Sequence, residues 1–155
     1  MRKLLDAISL VGLAVLGGVT WSALYGANPL PERVATHFDA TGNANAWGSP
    51  GGLIILPGIA VALYLIMTLV AQFPSAFNYP VRVTAENRER LQALALDMIS
   101  WIKLELICLF GWIQWIVIAA MRVGHGTFSR AVGPWTLVVV LGTVGCYILA
   151  MVRAR

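Results

Sequence analysis

Four stretches, 4–25, 53–73, 104–121 and 135–152, each run for at least 18 residues with almost no charge, and this leaves the chain few folds to choose from. Together they hold 79 residues and two formal charges, Asp6 and Glu105, so 16 of the 18 charges fall outside them. A bilayer core takes about 20 residues of helix to cross. Backbone groups in lipid must be satisfied internally, and these runs are too long for strands, so four transmembrane helices are expected. Composition agrees: 59% of the 155 residues are hydrophobic and 12% charged, and the mean hydropathy is +0.77. A water-soluble domain spends about a quarter of its residues on charge, so that class is excluded. Too little chain remains outside the spans for a large catalytic domain.

Charge also orients the spans. With the N-terminus inside, Arg2, Lys3, Arg82, Arg88, Arg90, Lys103, Arg153 and Arg155 collect on the cytoplasmic side, and Arg33, Arg122 and Arg130 on the outer side. Eight against three follows the positive-inside rule. The expected architecture is thus one all-α domain over 1–155 with both termini inside. An outer loop spans 26–52, and a cytoplasmic loop and helical extension span 74–103. The first span is read as a retained helix, because Asp6 interrupts its start and no small-x-small cleavage site closes it. Trp21, Tyr25 and Trp135 fit an aromatic belt at the outer boundary. The bias accounts for the net charge of +4, so nucleic acid is not an expected partner.

Small residues four apart, Ala14–Gly18–Ser22 and Gly142–Cys146–Ala150, mark candidate helix contact faces. Cys108 and Cys146 read as small packing residues. The third helix is expected to begin before the membrane, with Thr84 as cap and Glu86 paired to Arg90. At 100° per residue Glu105 shares a face with Leu94, Met98, Trp101, Leu109 and Trp112, while Lys103 and Gln114 lie opposite. Lys103 is expected to snorkel to the boundary. Glu105 should face the bundle or a wet crevice, or carry a proton, and Gln114 should hydrogen-bond between helices.

The outer loop has its own logic. Residues 34–38 are β-prone, 39–43 are rich in turn formers, and Ala46-Trp47 suits a return strand, which together predict a small hairpin. Here the residues resemble a family. Leu30-Pro31-Glu32, His37-Phe38-Asp39, Gly42, Asn45, Trp47 and Ser49 are similar to the outer-loop pattern of the DUF1648 domain, found in SdpI-like bacterial membrane proteins. Asn78-Tyr79-Pro80-Val81, Thr84 and Asn87 resemble the stretch that follows the second helix in such proteins. The sequence departs from the pattern at Ala35, Asn45 and Pro50, and it lacks length for the extra C-terminal membrane region of the SdpI type. The resemblance implies a multi-pass protein of the bacterial inner membrane. It also implies a role in immunity to a membrane-active peptide, with His37, Phe38, Asp39, Gly42, Asn45 and Trp47 as the binding loop and Asn78, Pro80, Thr84 and Asn87 as a cytoplasmic motif.

His37, Asp39 and His125 are the weak metal candidates, since structural zinc wants four ligands and only three are offered by type. No cofactor is expected, and no nucleophile elbow, HExxH or phosphate loop suggests an enzyme. The leading expectation is a non-enzymatic protein that binds a peptide or protein partner. The alternatives are an accessory subunit or homo-oligomer held by the small-residue stripes, and a proton-coupled transporter built on Glu105.

Overall fold

The computed structural model describes residues 1–39, 41–126 and 132–154. Ala40 in the expected turn, and Arg130 and Arg155 in the charge count, lie outside the described residues. The chain runs α1 (Arg2–Tyr25), β1 (Val34–Phe38), β2 (Ala44–Gly48), a 3-10 helix (Pro50–Ile54), α2 (Ile55–Val70), a second 3-10 helix (Pro74–Ala76), α3 (Arg88–Val123) and α4 (Val132–Arg153). Four of these segments, Arg2–Tyr25, Pro50–Val70, Arg88–Val123 and Trp135–Arg153, are long and apolar enough to cross a membrane.

The boundaries have local causes. Ser49 accepts a hydrogen bond from Gly51 N–H at 3.2 Å and Pro50 opens the 3-10 turn that leads into α2. The second helix stops at Val70, short of the expected residue 73. Pro74 denies Phe73 the helical conformation, and Phe73 sits at φ −119°, ψ 53°. Ahead of α3, Thr84 N–H donates to Asn87 Oδ1 at 2.8 Å and Asn87 N–H donates to Thr84 Oγ1 at 3.3 Å. This is a reciprocal cap with asparagine in the place of glutamate. Glu86 does not pair with Arg90. Its carboxylate meets the Thr84 side chain, which holds its pKa below the usual range. With 36 residues α3 is about 54 Å long, well beyond a bilayer core of about 30 Å.

This long helix is the centre of the molecule. The helices α1, α2 and α4 all pack on it and α1 also touches α2, whereas α4 has no comparable contact with α1 or α2. Two apolar clusters form. Ala23, Leu30, Val34, Leu53 and Ile118 gather at the hairpin end, while Leu91, Ala95, Met151 and Ala154 gather at the opposite end.

Polar ties set the rotation of the helices. Gln114, 1% exposed, donates to Thr20 Oγ1 at 2.8 Å and to the Leu53 carbonyl at 3.0 Å, which joins α1, α3 and the 3-10 turn. Nearer the N-terminal end of α1, Lys103 does not snorkel. Its side chain is 3% exposed and its ammonium donates to Asp6 Oδ1 at 2.6 Å. Thr68 Oγ1 lies at 3.4 Å and the Tyr64 ring centroid at 4.8 Å, so a closer set of partners than the membrane boundary is available. Ser100 also donates to Asp6 at 3.1 Å. These bonds turn Leu5, Ser9, Leu16, Thr20 and Ala23 of α1 inward. The Ala14–Gly18–Ser22 stripe consequently faces out, as do Gly142 and Cys146 of the α4 stripe, so neither is a contact face within the chain. The close approach instead uses Gly12, where an added Cβ would stand 2.8 Å from Ile107. Cys108 and Cys146 are free thiols on the outside of the bundle, not packing residues.

Candidate functional site

The strands β1 and β2 pair antiparallel, with Val34 opposite Gly48, Ala35 opposite Trp47, His37 opposite Ala46 and Phe38 opposite Ala44. The register slips between Ala35 and His37 and again between His37 and Phe38. Such bulges bend a strand and re-aim its side chains. Here His37 Nδ1 donates across the hairpin to Asn45 Oδ1 at 2.5 Å, so a neutral His37 keeps Nε2 as a free acceptor.

Asp39 organises the turn. Its Oδ1 accepts from Thr41 N–H at 2.8 Å, Thr41 Oγ1 at 2.6 Å and Asn43 N–H at 3.0 Å. The Thr41 hydroxyl and then the Asn43 amide hold this carboxyl below the usual carboxylate range. Gly42 follows at φ +90°, a conformation that suits glycine alone.

The end of α3 closes on this turn. Gly124 terminates the helix in the left-handed region, with its N–H on the Ala120 carbonyl at 2.8 Å. His125 then forms an antiparallel bridge with Asn43, and Gly126 N–H donates to the Gly42 carbonyl at 2.8 Å. Side chains would not fit here. A Cβ on Gly126 would meet the Phe38 ring at 2.9 Å, and one on Gly42 would overlap the Gly126 carbonyl. The Gly124-His125-Gly126 segment is thus a docked third edge of the hairpin. Arg122 adds a bond to the Asn28 carbonyl at 2.9 Å.

Between hairpin and helix lies a cleft of about 630 Å³. Val117, Met121, Ala35 and Phe38 give it apolar walls, while His37, His125, Thr36 and Thr41 supply polar groups. The structure thus brings His37, Phe38, Asp39, Gly42 and His125 together at one cavity. Asn45 acts on it through His37, and Trp47, 52% exposed, stands beside Gly124 outside the lining. Sequence reasoning missed Val117, Met121 and Gly126. The first two are ordinary apolar helix positions, and nothing in their identity tells them from lipid-facing neighbours.

Among the described residues no group of three His, Cys, Asp or Glu side chains comes close enough to hold an ion. Asp39 Oδ1 is already occupied by three donors.

The remaining candidates lie elsewhere. Glu105, half-buried, accepts from the Thr143 hydroxyl of α4 at 2.5 Å, and its Oε2 is buried without a partner. Asn78, Pro80, Thr84 and Asn87 line two clefts at the far end of the molecule.

Taken together, these features define a multi-pass helical membrane protein with a strapped hairpin at one end. Residues 12–61, from within α1 through the hairpin into α2, match the family described as Domain of unknown function (DUF1648). No curated protein and no solved structure matches the chain. The family match stops inside α2, so the motif from Asn78 to Asn87 lies beyond it.

Proposed function

We propose that this chain is a non-enzymatic protein of the bacterial inner membrane that binds a peptide or protein partner at the hairpin cleft, in the manner of SdpI-like immunity and signalling proteins. Both termini lie in the cytoplasm and the hairpin faces outward, which keeps the basic residues on the inner side. The observation that carries the reading is the docking of His125 and Gly126 onto the hairpin, because it makes a cleft from two distant segments and fixes its shape. Its volume of about 630 Å³ is that of a ligand site. Apolar walls with two imidazoles suit one hydrophobic side chain of a peptide and the polar groups beside it. The Asp39 carboxylate is engaged in the turn and His37 in a bond to Asn45, which supports binding over chemistry.

The test is expression in a sensitive bacterium followed by challenge with membrane-active peptides, using the wild type and Val117→Trp, which fills the cleft. Protection by the wild type that the variant loses supports the reading. Equal killing with and without the protein overturns the immunity role.

A second reading, an accessory subunit or homo-oligomer, draws on the outward-facing stripes of α1 and α4. Purification in mild detergent distinguishes it. A stoichiometric partner that is lost with Gly18→Leu or Gly142→Leu favours a subunit, and an unaltered monomer argues against one.

A further inference from the structure

The end opposite the hairpin carries a second built surface, independent of the cleft reading. An apolar groove of about 520 Å³ lies where α2 ends, walled by Val70, Phe77, Met98, Ile99, Ile148 and Met151. A more open cleft of about 450 Å³ adjoins it, lined by Pro80, Val81, Arg82, Thr84 and Asn87. Pro80 is common to both, so slot and polar cleft form one continuous surface.

The loop between them is held in shape by its own bonds. Asn87, buried, donates through Nδ2 to the Arg82 carbonyl at 3.1 Å and caps Thr84, and the Tyr79 hydroxyl donates to the Pro74 carbonyl at 2.7 Å. These bonds use the backbone of Arg82 and leave its guanidinium exposed. Among the described residues it has no ion-pair partner within 4.0 Å. Charge around this end is mixed but basic in balance. Arg82, Arg88, Arg90 and Arg153 outnumber Glu86, Glu89 and Asp97, and Glu86 is turned to Thr84.

We propose that this surface is a site for an anionic phospholipid, with one acyl chain in the slot and the phosphate over Arg82 in the cleft. Shape and charge agree on that occupant. The slot is apolar and sits at the ends of α2 and α4, where a membrane helix meets the headgroups, and an apolar slot continuous with an unpaired guanidinium complements a lipid whose head is negative. The motif from Asn78 to Asn87 is the scaffold that sets the arginine at the mouth of the slot.

The experiment is native mass spectrometry of the full chain in detergent, titrated with phosphatidylglycerol or phosphatidylcholine. Each basic residue near an anionic headgroup is worth about fivefold in affinity, so the anionic phosphatidylglycerol should bind about fivefold more tightly or better than zwitterionic phosphatidylcholine. Arg82→Gln should remove that preference while Arg82→Lys keeps it, and Arg33→Gln at the hairpin end should change nothing. Ile148→Trp, at a position already exposed on the bundle, should weaken both lipids by filling the slot. A preference that survives Arg82→Gln overturns the proposal. So does soluble glycerol phosphate that competes as well as the lipid, because the slot then has no part in binding. Should Ile148→Trp misfold, the two Arg82 variants still decide the matter.

Discussion

The three-helix unit of α1, α2 and α3 and the fourth helix are built by different means. The first is tied by buried polar groups at two levels, Asp6–Lys103 with Thr68 and Ser100, and Gln114 with Thr20 and the Leu53 carbonyl. The second rests mainly on α3, through the apolar contacts of Met151 and Ala154, which also meet the loop at Phe77, Tyr79 and Val81, and the bond from Thr143 to Glu105. Burial by lipid gives little drive to helix association, because a lipid tail is as apolar as leucine. Polar ties therefore decide which helices form a fixed unit, and the hairpin cleft stands on that unit. The helix α4 is peripheral, and most of its surface is left for lipid or a partner.

The largest effect should come from breaking the ion pair on one side only. Lys103→Met leaves the Asp6 carboxylate without its counter-charge. Removing one partner of a buried pair costs about 3–5 kcal/mol, and the lower end applies because Asp6 is 31% exposed. The double variant Asp6→Asn with Lys103→Met should recover most of the loss. Unfolding in bicelles checks this, and a double variant as unstable as the single one would show that the pair is not the tie.

Gln114→Leu is the next step down. It leaves the Leu53 carbonyl without its donor, while Thr20 keeps its own bond to the Leu16 carbonyl at 2.8 Å. A loss of about 1–2 kcal/mol is expected from the same unfolding measurement. An equal loss for Gln114→Leu and Thr143→Val would contradict the contrast between the two parts.

At the hairpin, the Asp39 turn should respond to acid. Its folded pKa is depressed, so its contribution is fully present above the ordinary aspartate value and is lost as pH falls through the lowered value. Protection of the Thr41 and Asn43 amides, taken relative to their intrinsic exchange at each pH, should stay high from neutral pH down to that range and fall below it. In Asp39→Asn the same amides should exchange faster at neutral pH and lose this acid-induced step. Wild-type protection that is flat through acid pH would remove Asp39 from the role.

How much of this contrast is legible in the sequence follows from the physics of each part. The spans are readable because hydropathy is a sum over 18 or more residues, and Gln114 because a lone amide in lipid must find a partner. The stripes at Ala14 and Gly142 mislead because small size marks a face without saying what it faces. The Lys103–Asp6 pair is within reach of the sequence, as both charges lie at the same depth once α1 and α3 are set parallel, two spans apart. The Asn43–His125 bridge was not, since backbone pairing between distant segments leaves no side-chain pattern, and the cleft depends on it. The glycines at 42 and 126 are its only trace, and in sequence a glycine that admits a close approach looks like one that loosens a loop.

The smallest effect should come from the tie to α4. Thr143→Val removes the donor to Glu105 and conserves shape, so about 0.5 kcal/mol is expected, the average for hydrogen bonds between membrane helices. The location of the change matters more than its size. Because α4 packs mainly on α3 and makes no comparable contact with α1, loosening it should raise amide exchange in 141–150 and leave the α1 amides around Thr20 unchanged. A disturbance that reaches Thr20 or the hairpin would mean that α4 belongs to the same cooperative unit as the other three. In that case the polar ties would not mark the boundary between the fixed part of the molecule and the part it offers to its surroundings.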